Sequence, residues 1–245
     1  MARNQDPPGS RRAGRPDRPV RSAGATPTHR RETVAGTCRG RRYRGRVTGY
    51  AAVVLAGGAA RRMGGADKPA LRVGGRPMRD RVLDAVADAD LRVLVGPPGP
   101  VPEGVRSTRE RPPGGGPVAA LAAGLTLLPP GTTVVAVLAG DLPLLTAPAI
   151  GALRDRLAEP GVDGACYVDD EGRRQTLCGV WRVPALRAAV DRLAAARGGS
   201  VDGASLRALL GGLAVRDVRW PGGGPPPWFD CDTDEDVRRA EEWTR

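Results

Sequence analysis

Two short stretches hold side chains whose types and spacing could do chemistry. The first runs from Leu55 through Ala56, Gly57, Gly58, Arg61, Arg62, Met63, Gly64 and Gly65 to Asp67-Lys68-Pro69. Paired glycines let a backbone approach a ligand closely and turn its amide N–H groups toward it. Arg61, Arg62 and Lys68 add three cations to the same loop, and Lys68 is the only lysine among 38 basic residues. An ammonium is a compact point charge where a guanidinium is a planar fork, so the one lysine marks a position with a different task. Glycine amides beside clustered cations suit a polyphosphate. The pattern is not the phosphate loop GxxxxGK[ST], because Gly65 rather than lysine follows Gly64, and it is not GxGxxG. The second stretch is Gly140-Asp141-Leu142-Pro143, which follows the apolar run Thr132 to Leu138 after Ala139. A carboxylate at the end of a buried strand can hold Mg²⁺ between protein and phosphates. It can also cap the next helix; the cationic loop favours the metal.

The elements that must position these stretches follow from periodicity. Ala51 to Leu55 and Leu91 to Val95 are short apolar strands, and Val105 to Thr108 is a weaker extended stretch. Thr132 to Leu138, Gly164 to Val168, Gln175 to Arg182 and Leu213 to Arg219 complete the strands, with Asp169 to Gly172 turning the chain before a returning strand. Helices are expected over Arg79 to Ala89, Val118 to Leu128, Ala147 to Ala158, Pro184 to Ala196 and Ser205 to Leu210. Pro117 suits a first helical turn. Trp228 to Cys231 reads as extended, and a last helix spans Thr233 to Trp243, opened by Thr233 with Asp236 three residues on. Strands alternating with helices imply an α/β fold with a mostly parallel central sheet covered on both faces. Ligands bind such sheets outside the carboxyl ends of the strands. The loops after Leu55 and Leu138 should therefore share one cleft.

Composition excludes several classes. The net charge of +11 looks like a nucleic-acid signature, but residues 1–48 carry 13 arginines against Asp6, Asp17 and Glu32 and hold +10 of it. No nucleic-acid partner is expected for the remainder, residues 49–245. The segment 1–48 is rich in Arg, Pro and Gly without apolar periodicity; it is expected to be a disordered tail, or the product of a start assigned too early, with Val47 as an alternative start. Arg11-Arg12 is not followed by the apolar stretch that an export signal needs. The cysteines Cys38, Cys166, Cys178 and Cys231 show no CxxC spacing, and the one histidine, His29, lies in the tail. That leaves no zinc site and no Ser-His or Cys-His pair in the core. No run approaches the roughly 20 apolar residues of a membrane helix. The expectation is a cytoplasmic protein with free thiols and no membrane partner.

Taken together, Leu55-Ala56-Gly57-Gly58, Arg62-Met63-Gly64 and Asp67-Lys68 resemble the signature of the MobA-like nucleotidyltransferases, in particular the molybdenum cofactor guanylyltransferases (LAGGxxxRMGxxDK). Gly75-Arg76-Pro77, Gly115-Gly116-Pro117, Gly140-Asp141-Leu142-Pro143 and Trp228 to Val237 follow in the family's order, so the resemblance covers residues 50–245. It implies a Rossmann-like three-layer fold of the nucleotide-diphospho-sugar transferase type. It also implies Mg²⁺-dependent transfer of GMP from GTP to a molybdopterin acceptor, with release of pyrophosphate and no covalent enzyme intermediate. A cytidylyltransferase, a sugar-phosphate nucleotidyltransferase or a non-catalytic nucleotide-binding homologue are the alternatives; Leu55 to Gly58 reading LAGG rather than LAAG favours guanylyl transfer. By the resemblance, Arg62 and Lys68 hold the triphosphate, and the backbone of Leu55, Ala56, Gly57 and Gly58 borders base and ribose. Glu110 stands near the nucleotide, Asp141 binds Mg²⁺, and Asp232 or Asp230 reaches the same metal. Gln175 opens a block similar to the family's Q-P-L strand beside the acceptor, and Asp230 is placed there too. The chain departs from the family pattern with Gly96-Pro97 in place of an asparagine, Arg111 in place of an aspartate, and aspartates at 230 and 232 in place of asparagines. Transient contact with other cofactor-biosynthesis proteins is a further expectation.

Overall fold

The computed structural model describes residues 49–57, 71–221 and 224–245. Strand β1 (Ala51–Leu55) is buried along its whole length. Alternation of its side chains divides the core in two, as expected for a strand covered on both faces. Ala52 and Val54 join one cluster, while Ala51, Val53 and Leu55 join the other.

A small ribbon comes next. Strands β2 (Arg72–Val73) and β3 (Arg76–Pro77) pair antiparallel across Gly74 and Gly75, both at positive φ (57° and 77°). Two left-handed residues in a two-residue loop make the turn that matches strand twist, and glycine is the residue that accepts it. Gly75-Arg76-Pro77, one of the blocks that carry the family resemblance, thus lies within a hairpin. Helix α1 (Met78–Ala85) follows directly. It stops four residues short of the expected end at Ala89, because the chain must leave it to reach β4 (Leu91–Val95), where the Asp90 N–H donates to the Tyr50 carbonyl at 2.9 Å. The remaining elements are β5 (Val105–Thr108), α2 (Gly116–Thr126), β6 (Val134–Ala139), α3 (Ala147–Leu157), β7 (Gly164–Val168), β8 (Arg174–Arg182), α4 (Val183–Ala196), α5 (Leu206–Leu210), β9 (Val215–Arg219) and α6 (Asp234–Trp243).

Seven strands form one sheet in the order β5-β4-β1-β6-β8-β7-β9. Only β8 runs against the rest, antiparallel to both β6 and β7. Helices α1 and α3 cover one face, through Val82, Leu83, Ile150 and Leu153. Helices α2, α4 and α5 cover the other, through Leu121, Leu125, Leu186 and Leu209. This is the mostly parallel α/β sheet, covered on both faces, that the alternation of elements implied, and the Rossmann-like three-layer fold that the resemblance implied. A third, smaller cluster of Val73, Met78, Leu144, Cys231 and Ala240 fastens α6 and the β2–β3 ribbon beside the main body.

One detail differs from the sequence reading near the end of the chain. Trp228 is not extended: the Phe229 N–H returns to the Pro226 carbonyl at 3.1 Å, and the Trp228 ring packs on Tyr167 with centroids 5.2 Å apart. Burying that ring bends a segment which propensity alone would straighten. The cap of α6 forms as its sequence implies, with the Asp236 N–H donating to the Thr233 hydroxyl (3.2 Å) and the Thr233 N–H donating to the Asp236 carboxylate (2.8 Å). Among the described residues no helix is long and apolar enough to cross a membrane.

Candidate active site

The chain runs outward from β1 to β4 to β5, then crosses back to place β6 on the other side of β1. Such a reversal opens a crevice at the carboxyl ends of the central strands. Here the hydrogen-bond ladder continues beyond the strands and levels those ends. The Ala56 N–H donates to the Val95 carbonyl (2.7 Å), the Gly140 N–H to the Leu55 carbonyl (2.9 Å), and the Gly96 N–H to the Thr108 carbonyl (3.0 Å).

Close approach explains the glycines on either side of Ala56. A Cβ at Gly96 would lie 3.0 Å from the Ala56 carbonyl oxygen, and one at Gly140 would lie 3.1 Å from the Ala56 Cβ. Both contacts are tighter than ordinary van der Waals packing against a backbone that cannot swing away. Leu55 and Ala56 are buried, so they can offer a ligand only backbone; Gly57 is exposed. Gly58, Arg62 and Lys68 lie outside the described residues.

Asp141 follows Gly140 at the end of β6, beside the end of β1, and is half-buried. The last segment of the chain meets it there: the Cys231 N–H donates to the Asp141 carbonyl at 3.4 Å. Cys231 is itself fully buried in the third cluster, and Asp230 and Asp232 flank it as exposed residues. One contact thus joins the Asp141 loop to the segment that carries both candidate second carboxylates. The donor chemistry fits Mg²⁺, a hard cation held by one or two carboxylates together with substrate phosphates and water. Among the described residues no three His, Cys, Asp or Glu side chains gather as a protein-only metal cage.

Glu110 is the one buried charged residue among those described, at 8 % exposure. It follows β5, and its Oε1 accepts the Gly114 N–H at 2.9 Å. The carboxylate therefore braces the loop that delivers the chain into α2, whose N-terminus has Gly115 as its cap residue and no side-chain cap. The Gly203 N–H donates to the Gly115 carbonyl (2.8 Å), tying the α4–α5 connection to the same loop.

Gln175 begins the far wall. Leu138 of β6 pairs with Cys178 of β8, so Gln175, three residues earlier on the antiparallel strand, lies past the carboxyl end of β6, where Asp141 also lies. Its Nε2 donates to the Asp169 carboxylate at 3.0 Å. Sequence reasoning passed over Asp169 as a turn residue. The signal available was an aspartate opening a five-residue reversal that ends at Arg173 and is followed by Arg174-Gln175, a composition in which a carboxylate collects donors. The backbone N–H groups of Glu171 (3.1 Å) and Arg173 (2.8 Å) and the Arg173 guanidinium (3.2 Å) all donate to it. Desolvation pushes the Asp169 pKa upward, but the Arg173 and Glu171 donors outweigh it and hold the group below the usual carboxylate range.

The family model for the MobA-like NTP transferase domain matches residues 52–213. Over 205 residues the chain is 31 % identical to the molybdenum cofactor guanylyltransferase of Cereibacter sphaeroides, covering 79 % of this chain and 96 % of that protein. Among solved structures, molybdopterin-guanine dinucleotide biosynthesis protein A of Archaeoglobus fulgidus superposes with a TM-score of 0.59 at 20 % identity, covering 78 % of this chain and 97 % of the other. The 2-C-methyl-D-erythritol 4-phosphate cytidylyltransferase of Thermus thermophilus does so with a TM-score of 0.59 at 19 % identity, covering 79 % and 98 %. At these identities the two structures speak to the fold alone. The strand-end crevice, the Gly140-Asp141 loop and the family match agree, and the chain belongs to the MobA-like NTP transferase domain family, a family of nucleotidyltransferases.

Proposed function

We propose that the protein is a molybdenum cofactor guanylyltransferase, moving GMP from GTP to a molybdopterin-type acceptor with release of pyrophosphate. The observation that carries this reading is the convergence of three things at one switch point: the glycine-flanked end of β1, Asp141, and the 230–232 segment held to it through Cys231. The choice of guanine and of molybdopterin draws on the 31 % identity with the Cereibacter sphaeroides protein.

The chemistry is an in-line displacement. An acceptor phosphate oxygen bonds to the α-phosphorus of GTP while the bond to the bridging oxygen of the β-phosphate breaks, and pyrophosphate leaves with that electron pair. Nothing covalent is asked of the protein, so rate comes from positioning and from neutralising charge. Arg62 and Lys68 hold the triphosphate, and the backbone from Leu55 to Gly58 borders base and ribose. Asp141, with Asp232 or Asp230, would hold Mg²⁺. A bound Mg²⁺ would neutralise phosphate charge and orient the reacting groups.

The test is turnover with a panel of nucleotides. The protein is incubated with GTP, CTP, ATP or UTP, Mg²⁺ and purified molybdopterin, and pyrophosphate is followed. Release with GTP that depends on the acceptor is expected. Release with CTP and not with GTP would overturn guanylyl transfer and leave a cytidylyltransferase.

A further inference from the structure

We propose that Asp169 is a positioning residue: it fixes the side-chain amide of Gln175 so that Gln175 presents its carbonyl oxygen to the acceptor and selects a ring edge that carries N–H donors. The inference rests on the proposed transfer to a molybdopterin-type acceptor.

An amide side chain has one donor end and one acceptor end, and which end faces a ligand is decided by what holds the other. An ionised carboxylate can only accept. Asp169 takes Gln175 Nε2 at 3.0 Å, so the Oε1 of Gln175 is turned away from it. Among the described residues no donor reaches that oxygen. Asp169 is itself fixed, with Oδ1 receiving the backbone N–H groups of Glu171 and Arg173, and Oδ2 receiving the Arg173 Nε beside the Gln175 amide. Those donors keep it ionised, and therefore acceptor-only, throughout the neutral range.

The location supplies the ligand class. Gln175 lies past the carboxyl end of β6, on the strand end shared with Asp141. Leu177, two residues on and on the same face of β8, packs against the core under α2, α4 and α5. Gln175 thus continues that face beyond the core, partly buried and bordering the crevice. A carbonyl oxygen there repels phosphate oxygens and attracts N–H groups. A pterin ring carries a lactam N–H and an exocyclic amine along one edge and meets that requirement. Guanine offers the same pair of donors, so the two substrates must be told apart by experiment.

The substitution Asp169→Asn separates positioning from folding. The introduced asparagine can keep its Oδ1 on the Glu171 and Arg173 backbone amides and so preserve the reversal. Its NH₂ group then faces Gln175, which must flip to meet it and offer Nε2 to the ligand. Removing a favourable contact and opposing donor to donor is expected to raise the acceptor KM about tenfold or more, with kcat and the GTP KM within about twofold. Gln175→Ala should give a similar acceptor KM, and the double variant should be no worse than Gln175→Ala alone, because both act through one contact. A ¹⁵N-labelled sample gives a readout free of catalysis: the Gln175 side-chain amide protons should shift in Asp169→Asn while the Arg173 backbone amide stays in place. An unchanged acceptor KM in Asp169→Asn overturns the proposal and leaves the guanylyltransferase reading standing. A rise in the GTP KM instead of the acceptor KM overturns the assignment to the acceptor. Should the wild type fail to use GTP with molybdopterin, the functional reading falls and the acceptor part of this proposal falls with it, while an unshifted Gln175 amide would separately overturn the orientation.

Discussion

Replacing Gly140 with alanine adds one methyl at a tight point of the crevice. Its Cβ would lie 3.1 Å from the Ala56 Cβ and 3.2 Å from both the Ala56 Cα and the Leu55 carbonyl oxygen. Two of these three atoms are backbone of a fully buried strand end, so relief requires β1 and β6 to part by a few tenths of an ångström where the Gly140–Leu55 hydrogen bond of 2.9 Å joins them. Overpacking of this kind costs about 1–3 kcal/mol. The added side chain also stiffens the unfolded chain, which offsets about 0.4–1 kcal/mol. A net loss of about 1–2 kcal/mol is expected, read as a lower urea midpoint at unchanged m. The chemistry should suffer more than the fold, because Asp141 is the next residue. A 1 Å misplacement costs about a hundredfold, so a few tenths of an ångström should lower kcat about three- to tenfold. Gly151→Ala is the internal control. Gly151 sits within α3, and a methyl group there would meet nothing within 4 Å, so alanine should raise stability by about 0.5–1 kcal/mol and leave kcat alone. A Gly140→Ala protein as stable and as active as wild type would refute the reasoning, since the strand ends would then have slack.

Four further outcomes rest on the same structure. Asp141→Ala should reduce kcat at least about a hundredfold while the urea midpoint holds; activity that survives would remove Asp141 from the metal site. In a Cys38→Ser background the buried thiols Cys166, Cys178 and Cys231 should stay unreactive to Ellman's reagent in the native protein and react together on unfolding. Burial pushes the Cys166 thiol from 9.0 up to about 12, so native Cys166 keeps its proton after the unfolded chain has lost it. The contribution of this group is therefore intact below pH 9 and falls between pH 9 and 12, by on the order of 1 kcal/mol per pH unit, and flat alkaline urea midpoints would contradict it. Thr233→Ala should cost about 1 kcal/mol by removing the cap of α6. The Thr233 hydroxyl holds the Asp236 carboxylate below its usual range against the opposing effect of burial. That contribution is present above the unfolded pKa near 3.8 and is lost as pH falls through the lower folded value, so acid should narrow the difference between wild type and Thr233→Ala in far-UV circular dichroism, leaving the part due to the Asp236 N–H donating to the Thr233 hydroxyl.

Periodicity marks most of the elements and the ends of the sheet that matter. A run buried on both faces, such as Ala51 to Leu55, must be a central strand, because no other placement hides both sets of side chains. Leu55 and Ala139 then stand in register on neighbouring parallel strands, so the described start of the glycine loop, Gly57, and Asp141 follow neighbouring strand ends. Capping at Thr233 was equally local and equally legible. What only tertiary structure decided is how distant carboxylates and amides are spent. Glu110 has the type of a ligand-binding residue, yet its oxygen is occupied by an amide four residues on. Asp169 looks like any turn aspartate until β8 returns and places Gln175 against it. The 230–232 segment reaches Asp141 because Cys231 is buried in the third cluster and Trp228 packs on Tyr167, contacts that fix where the end of the chain runs. Periodicity records which side chains avoid water; it does not record which polar groups find each other, because that depends on contacts between residues far apart in the chain.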